Sequence, residues 1–151
     1  MTPTVPAYAL AVLRAYLLGV GIVAAQVGER VFGEDLPREE ADAMPRAAVV
    51  VKSAGGSGLE DGSFADLTRY AVDVWSYGAT PTGAHTVRRA AFGALKALDR
   101  AVVALGDGSS VLLHSATRTV GPRVILDPET KWPAVIESFD LLASDVEITA
   151  A

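Results

Sequence analysis

The sequence predicts an α+β domain, with a mixed or antiparallel sheet of about five strands packed against one long helix and an N-terminal helix. Three observations carry that prediction. The run 47–51, AAVVV, is unbroken and rich in β-branched residues, as in a strand covered on both faces. Residues 67–77 alternate, with Tyr70, Val72 and Val74 on one side and Arg69, Ala71, Asp73, Trp75 and Tyr77 on the other. Thr80-Pro81 then opens a helix by N-cap and N1 chemistry.

Taken in order, Thr4 can cap a first helix with Pro6 in its opening turn, where the missing N–H costs nothing. Alanines and Leu10, Leu13 and Leu17 favour helix until Gly19 and Gly21 break it. A second short helical stretch, 22–27, ends at Gly28, and 29–32 reads as a brief edge strand. Residues 33–46 carry many charges, Pro37 and Pro45, and no apolar period, which reads as loop. The strands 47–51 and 67–77 then form a central hairpin around a glycine-rich loop far longer than a hairpin needs. In the long helix, Val87, Ala91, Leu95, Leu98, Val102 and Leu105 form one stripe, stopped at Gly106-Asp107-Gly108. Residues 111–120 read as a strand broken by Gly121-Pro122. Segments 123–126 and 134–143 form a second hairpin around the turn signal Asp127-Pro128. In the last strand Val135, Glu137, Phe139 and Leu141 share one face, and Ile136, Ser138, Asp140 and Leu142 the other. Both faces are mixed, as in a sheet that meets a neighbouring subunit.

The length, 151 residues, suits a single domain over 1–151, with ends at 1–6 and 144–151 expected to be flexible. Half the residues are apolar and 21% are charged, a globular composition. The absence of cysteine removes disulfides, thiolate metal sites and thiol nucleophiles together. A net charge of −5 argues against a surface that wraps nucleic acid. The uncharged run 15–25 is much shorter than the ~20 residues a membrane helix needs. Residues 1–7 lack the basic start of a signal peptide, so the reading is a soluble intracellular protein.

Each candidate for chemistry has a plainer account. His85 and His114 lack ligand spacing and read as packing or surface residues. Gly55-Gly56-Ser57-Gly58 leads to a strand rather than a helix, beside Glu60 and Asp61, and reads as a connector rather than a phosphate loop. Asp73 and Asp140 could face each other across strands, but solvated or interface charges suit them better. No nucleophile elbow is present, and no catalytic, cofactor or metal residue is assigned.

The succession of "VGERVFGEDLP", "MPRAAVVVKSAGG", "RYAVDVWSYGATP", "TVRRAAFGALKAL", "VLLHSA" and "WPAVIESFDLLAS" resembles the tail terminator (tail completion) proteins of long-tailed bacteriophages and phage-like particles. The resemblance spans roughly residues 8–145. It implies a non-enzymatic α+β subunit of a ring, six-fold in the family, on the head-proximal end of the tail tube. Such a ring stops tube growth and joins the tail to the head connector. Its implied partners are copies of itself, the tail tube protein and the connector or stopper protein. DNA passes through its lumen without specific binding, no membrane is involved, and assembly takes place in the host cytoplasm. A head-completion or connector protein is the nearest alternative, and a small ligand-binding or enzymatic domain a more distant one. Candidate interface residues are Arg38, Glu39 and Glu40 in the first loop, and Gly56, Leu59 and Phe64 in the glycine loop. Arg69, Asp73, Trp75 and Tyr77 on the central hairpin, with Trp132 and Glu137 on the last, complete the set.

Overall fold

A computed structural model describes residues 9–54, 67–105 and 110–144. The chain runs α1 (Ala9–Leu18), α2 (Gly21–Val27), β1 (Val31–Gly33), α3 (Arg38–Ala43), β2 (Ala48–Ser53), β3 (Leu67–Tyr77), α4 (Pro81–Lys96), β4 (Ala101–Ala104), β5 (Ser110–Leu126) and β6 (Pro133–Ser144). The strands form a six-stranded sheet in the order β1-β2-β3-β6-β5-β4. Among the described strands only β1 and β2 are parallel. The other neighbours are antiparallel, so the sheet is mixed and the α+β expectation holds.

One face of the sheet carries α1, α2 and α4. Val49, Val51, Val72, Val74, Phe139 and Leu141 meet Leu13, Leu17, Val23, Val87 and Leu95 there in the main core. Two polar contacts fix the helices. The Tyr16 hydroxyl donates to the Ala94 carbonyl at 2.6 Å, joining α1 to α4. Arg14 Nε donates to the Val31 carbonyl at 2.6 Å and so occupies a backbone acceptor on the edge strand β1. The glycine break falls as expected: α1 and α2 meet at 89°, and no single described helix is long and apolar enough to cross a membrane.

Several expectations change. The segment 33–46 is not all loop, because α3 lies within it and connects the parallel strands on the face opposite α1, α2 and α4. Leu36 and Met44, at either end of α3, pack there with Ala48, Val50 and Tyr77. The long helix stops at Lys96 rather than continuing to Leu105. Arg100 takes a positive φ of 52°, and the chain returns as β4 with Val102 opposite Leu112. Val103 rather than Val102 then faces the core, and Val102 is 62% exposed. A four-residue antiparallel pairing of β-branched side chains displaces a helical stripe that periodicity alone supports equally well. Finally, Gly121-Pro122 does not end a strand. β5 runs through it with register shifts at Leu113/Ser115, Arg118/Val120 and Val120/Arg123. Proline is tolerated because it falls in the register irregularity between Val120 and Arg123, where the ladder to β6 is interrupted. The expected capping by Thr4 and the long loop after Ala54 lie outside the described residues.

The start of α4 sits tightly against the end of β3. Thr80 Oγ1 accepts from the Gly83 N–H at 3.0 Å. The Gly78 N–H donates to the Pro133 carbonyl at 3.3 Å. A Cβ on Gly78 would collide with the backbone of Gly83 and Ala84, whereas one on Gly21 meets nothing within 4 Å. Gly78→Ala should therefore lower the midpoint of thermal unfolding steeply, a loss of about 3 kcal/mol or more, because rigid backbone must move. Gly21→Ala should be neutral or slightly stabilising. Equal melting temperatures for the two variants would contradict this close approach.

Candidate assembly surface

The period of two in β3 places Arg69, Asp73, Trp75 and Tyr77 together on the face opposite α1, α2 and α4. Trp132 joins them from the turn before β6. This face divides along its length. The half nearer α3 is an aromatic platform: Trp75 stacks on Tyr77 with centroids 6.2 Å apart, and Trp132 meets Tyr77 edge-on at 6.2 Å. Lys52 Nζ lies 3.9 Å from the Trp75 ring centroid, a cation–π contact. Beside it is a hollow of about 180 Å³ lined by Asp35, Lys52, Tyr77, Asp127, Glu129 and Trp132. Burial, followed by the negative charge of Asp127, pushes the Tyr77 hydroxyl well above its ordinary value. Burial also pushes Asp127 up, but N–H donors from Glu129 (3.0 Å) and Thr130 (3.2 Å) outweigh it and hold the carboxyl low. Asp127 thus stays ionised as the cap of the β5–β6 turn.

The other half is open. Arg69, Ser115, Thr117, Asp140 and Leu142 line a hollow of about 170 Å³. Asp73 does not meet Asp140 across the strands, because its register partner is Ser138. Ser138 Oγ donates to Asp73 Oδ1 at 2.5 Å and accepts from Arg123 Nη2 at 3.1 Å, a relay that spans β3, β6 and β5.

Glu137 lies on the opposite face, under α4, and is 2% exposed. Arg88 of α4 and Arg118 of β5 reach its two oxygens at 3.3 and 3.4 Å. Both guanidinium groups also lie over the Phe92 ring, at 5.6 and 4.9 Å from its centroid. The mixed character of that face therefore has an internal cause, a carboxylate neutralised within the subunit. In the first segment Arg38 and Glu39 are exposed on α3. Glu40 is buried and held by Arg46 through two contacts, Nε–Oε1 at 2.8 Å and Nη2–Oε2 at 2.5 Å. Gly56, Leu59 and Phe64 lie outside the described residues. Among the described residues no group of three His, Asp or Glu side chains is placed to hold a metal. Sequence reasoning passed over Lys52, Arg88, Arg118 and Arg123, which become informative only once strands and helix pair them, whereas Asp127 caps the turn that Asp127-Pro128 signalled. For those four the one available signal was Glu137 itself, a carboxylate in phase with Val135, Phe139 and Leu141.

No family model matches the sequence, and no curated relative matches it either. The fold does have a counterpart. It is similar to a chain in the virion of a native gene transfer agent particle. The TM-score is 0.57 at 16% identity, and the match covers 92% of this chain and 94% of that one. At that identity the likeness is one of fold, and it extends over nearly the whole of both chains.

Two consequences are measurable. Glu137→Ala leaves two arginines without their buried partner and should cost about 3–5 kcal/mol in denaturant unfolding. Arg118→Met should cost about 1 kcal/mol or less, because that side chain is 42% exposed. Comparable losses in the two variants would show that burial does not set the balance. The second concerns acid. The hydrogen bond from Arg46, with burial opposing it, holds Glu40 below the ordinary carboxylate range. A depressed folded-state value contributes stability above the unfolded pKa, about 4.3 for glutamate, and that stability is lost as pH falls through the folded value. The wild type should thus lose stability more steeply than Arg46→Met in unfolding titrations below about pH 4. Parallel curves would assign the acid sensitivity elsewhere.

Proposed function

We propose that this chain is a structural protein of a phage-like virion, and within that class the tail terminator. On this reading copies form a ring, six-fold as in the family it resembles, on the head-proximal end of the tail tube. The ring ends tube polymerisation and presents its far side to the head's connector or stopper protein. The chain is not an enzyme, and DNA passes through the lumen without being held. It is assembled into the virion in the host cytoplasm, at the tail–head junction.

The observation that carries this reading is the fold likeness, over 92% of the chain, to a component of a gene transfer agent virion. The order of segments along the sequence supports the terminator role within that class. The described surface suits such a role. The open hollow on the sheet face opposite the helices, with the partly exposed Trp75 and Trp132 rings over the buried Tyr77, offers a recognition surface, while the helical face is occupied by the core. A net charge of −5 accords with a lumen that does not retain phosphates, since each basic contact would add affinity through counterion release.

Tubes polymerised from the tail tube protein of the same particle test the proposal. Added at sub-stoichiometric amounts, this chain should cap one end of each tube, seen by negative-stain microscopy, and should narrow the length distribution. Uncapped tubes of unchanged length would reject the terminator role. Capping by a head-completion protein is not expected, so binding to the isolated head connector alone would favour that neighbouring role.

A further inference from the structure

The hollow of about 180 Å³ beside Trp75 takes its walls from two separate elements. Asp35 and Ala41 close one side, from α3 and the connection before it. Asp127, Glu129 and Trp132 close the other from the β5–β6 turn, with Lys52 of β2 and Tyr77 of β3 between them. Three carboxylates thus share a recess with one ammonium, an excess of two negative charges. That ammonium is drawn aside, with Lys52 Nζ 3.9 Å from the Trp75 ring centroid. Asp127 is held by the Glu129 and Thr130 N–H groups, but among the described residues Asp35 and Glu129 form no ion pair.

Two further groups in the hollow point to a guest. Tyr77 is only 3% exposed, and it lines this recess. Its hydroxyl contact within the chain, to Asp127 Oδ2 at 3.5 Å, is longer than the about 2.5–3.0 Å of an O–H···O hydrogen bond. A buried polar group is thereby left without a close partner. The Trp132 ring lines the same recess, and among the described residues no cation lies over it, whereas Lys52 covers Trp75 and two arginines cover Phe92.

We propose that this hollow receives the guanidinium group of an arginine presented by a partner protein. The unpaired carboxylates supply charge and acceptors, and the Tyr77 oxygen supplies one acceptor more. Trp132 supplies a face on which a planar, weakly hydrated cation stacks. A metal ion fits less well. It needs oxygens converging at about 2.0–2.6 Å, and among the described residues no group of three acidic or histidine side chains is so placed. A whole small molecule also fits less well, because pockets for such ligands enclose about 300–1,000 Å³. A second copy would bring a chain of net charge −5 to an acidic recess. The site stands on the chain's own groups and does not depend on the terminator role.

Trp75 and Trp132 are the two tryptophans of the chain, and both sit at or beside this hollow, so intrinsic fluorescence reads it directly. Titrating the full chain with the capped tripeptide acetyl-Gly-Arg-Gly-amide should change tryptophan emission saturably, half-maximal at roughly millimolar concentration. The lysine counterpart should bind several-fold more weakly. The citrulline counterpart, similar in shape but uncharged, should leave emission unchanged. Asp35→Asn combined with Glu129→Gln, both at exposed positions, should raise the half-maximal concentration about tenfold at an unaltered melting temperature. Tyr77→Phe, which keeps the ring, should raise it several-fold. Equal responses to the arginine and citrulline peptides, no saturable response, or a response that neither variant alters would overturn the proposal. So would the same emission change produced by calcium chloride alone at matched ionic strength, which would assign the hollow to a metal. A change that appears on concentrating the chain without peptide, and is lost in the double variant, would assign it to a second copy and overturn the choice of partner. Tube capping is a separate readout, so a failure here leaves the terminator role standing, and a failure to cap leaves this site standing.

Discussion

The fold depends on one carboxylate that cannot reach water. Glu137 sits mid-strand in β6, which is flanked by β3 and β5, and it carries a charge under α4. Left alone it would be strongly unfavourable, so its position depends chiefly on the largely buried Arg88 of α4, with the more exposed Arg118 of β5 adding less. That requirement sets the rotation of α4 on the sheet. Arg118 reaches the carboxylate from β5, where its register partner is Phe139. The close contact at Gly78 fixes where α4 begins, and Phe92 packs against Phe139 at 6.5 Å beside the charges. The arrangement is not fully satisfied, since Arg88 Nε and Ser76 Oγ are buried without hydrogen-bond partners. A network of this kind specifies geometry more than it adds stability.

Much of the framework was legible from residue pattern. The buried run at β2, the alternation in β3, the glycine break between α1 and α2, and the Thr80-Pro81 start of α4 each follow from a local physical preference that the tertiary structure does not oppose. The misreadings have a common cause in long-range pairing. Leu98 and Val102 continue a helical stripe, yet residues 101–104 find a better partner in β5. Gly121-Pro122 is a breaker in isolation and is tolerated because it falls at a register shift between β5 and β6. Pro37 and Pro45 bracket α3 closely enough to hide it. On the candidate surface, Arg69, Asp73, Trp75 and Tyr77 share a face because alternation alone places them there. The partners of those residues, Lys52, Ser138 and Arg123, come from other strands and so depend on register.

The two faces of the sheet have different roles in the molecule. One is committed to the core under α1, α2 and α4 and leaves little for a partner to read. The other combines rings held by neighbouring rings with charges held by hydroxyls and turn N–H groups, so its shape is set before any partner arrives. Interfaces built on such pre-ordered groups lose less side-chain freedom on association. Assembly by a surface of this kind needs little change in the subunit.

Pro122 has a further consequence. An unpaired strand edge carrying valines is a template for indefinite stacking of chains, and many proteins that leave one exposed aggregate before they assemble. Here the missing N–H, together with the register shifts on either side, interrupts the hydrogen-bond ladder that a foreign strand would need. A strand edge interrupted in this way is a poorer template for strand addition than a regular one, and what it offers a neighbour is side chains rather than a continuous backbone ladder.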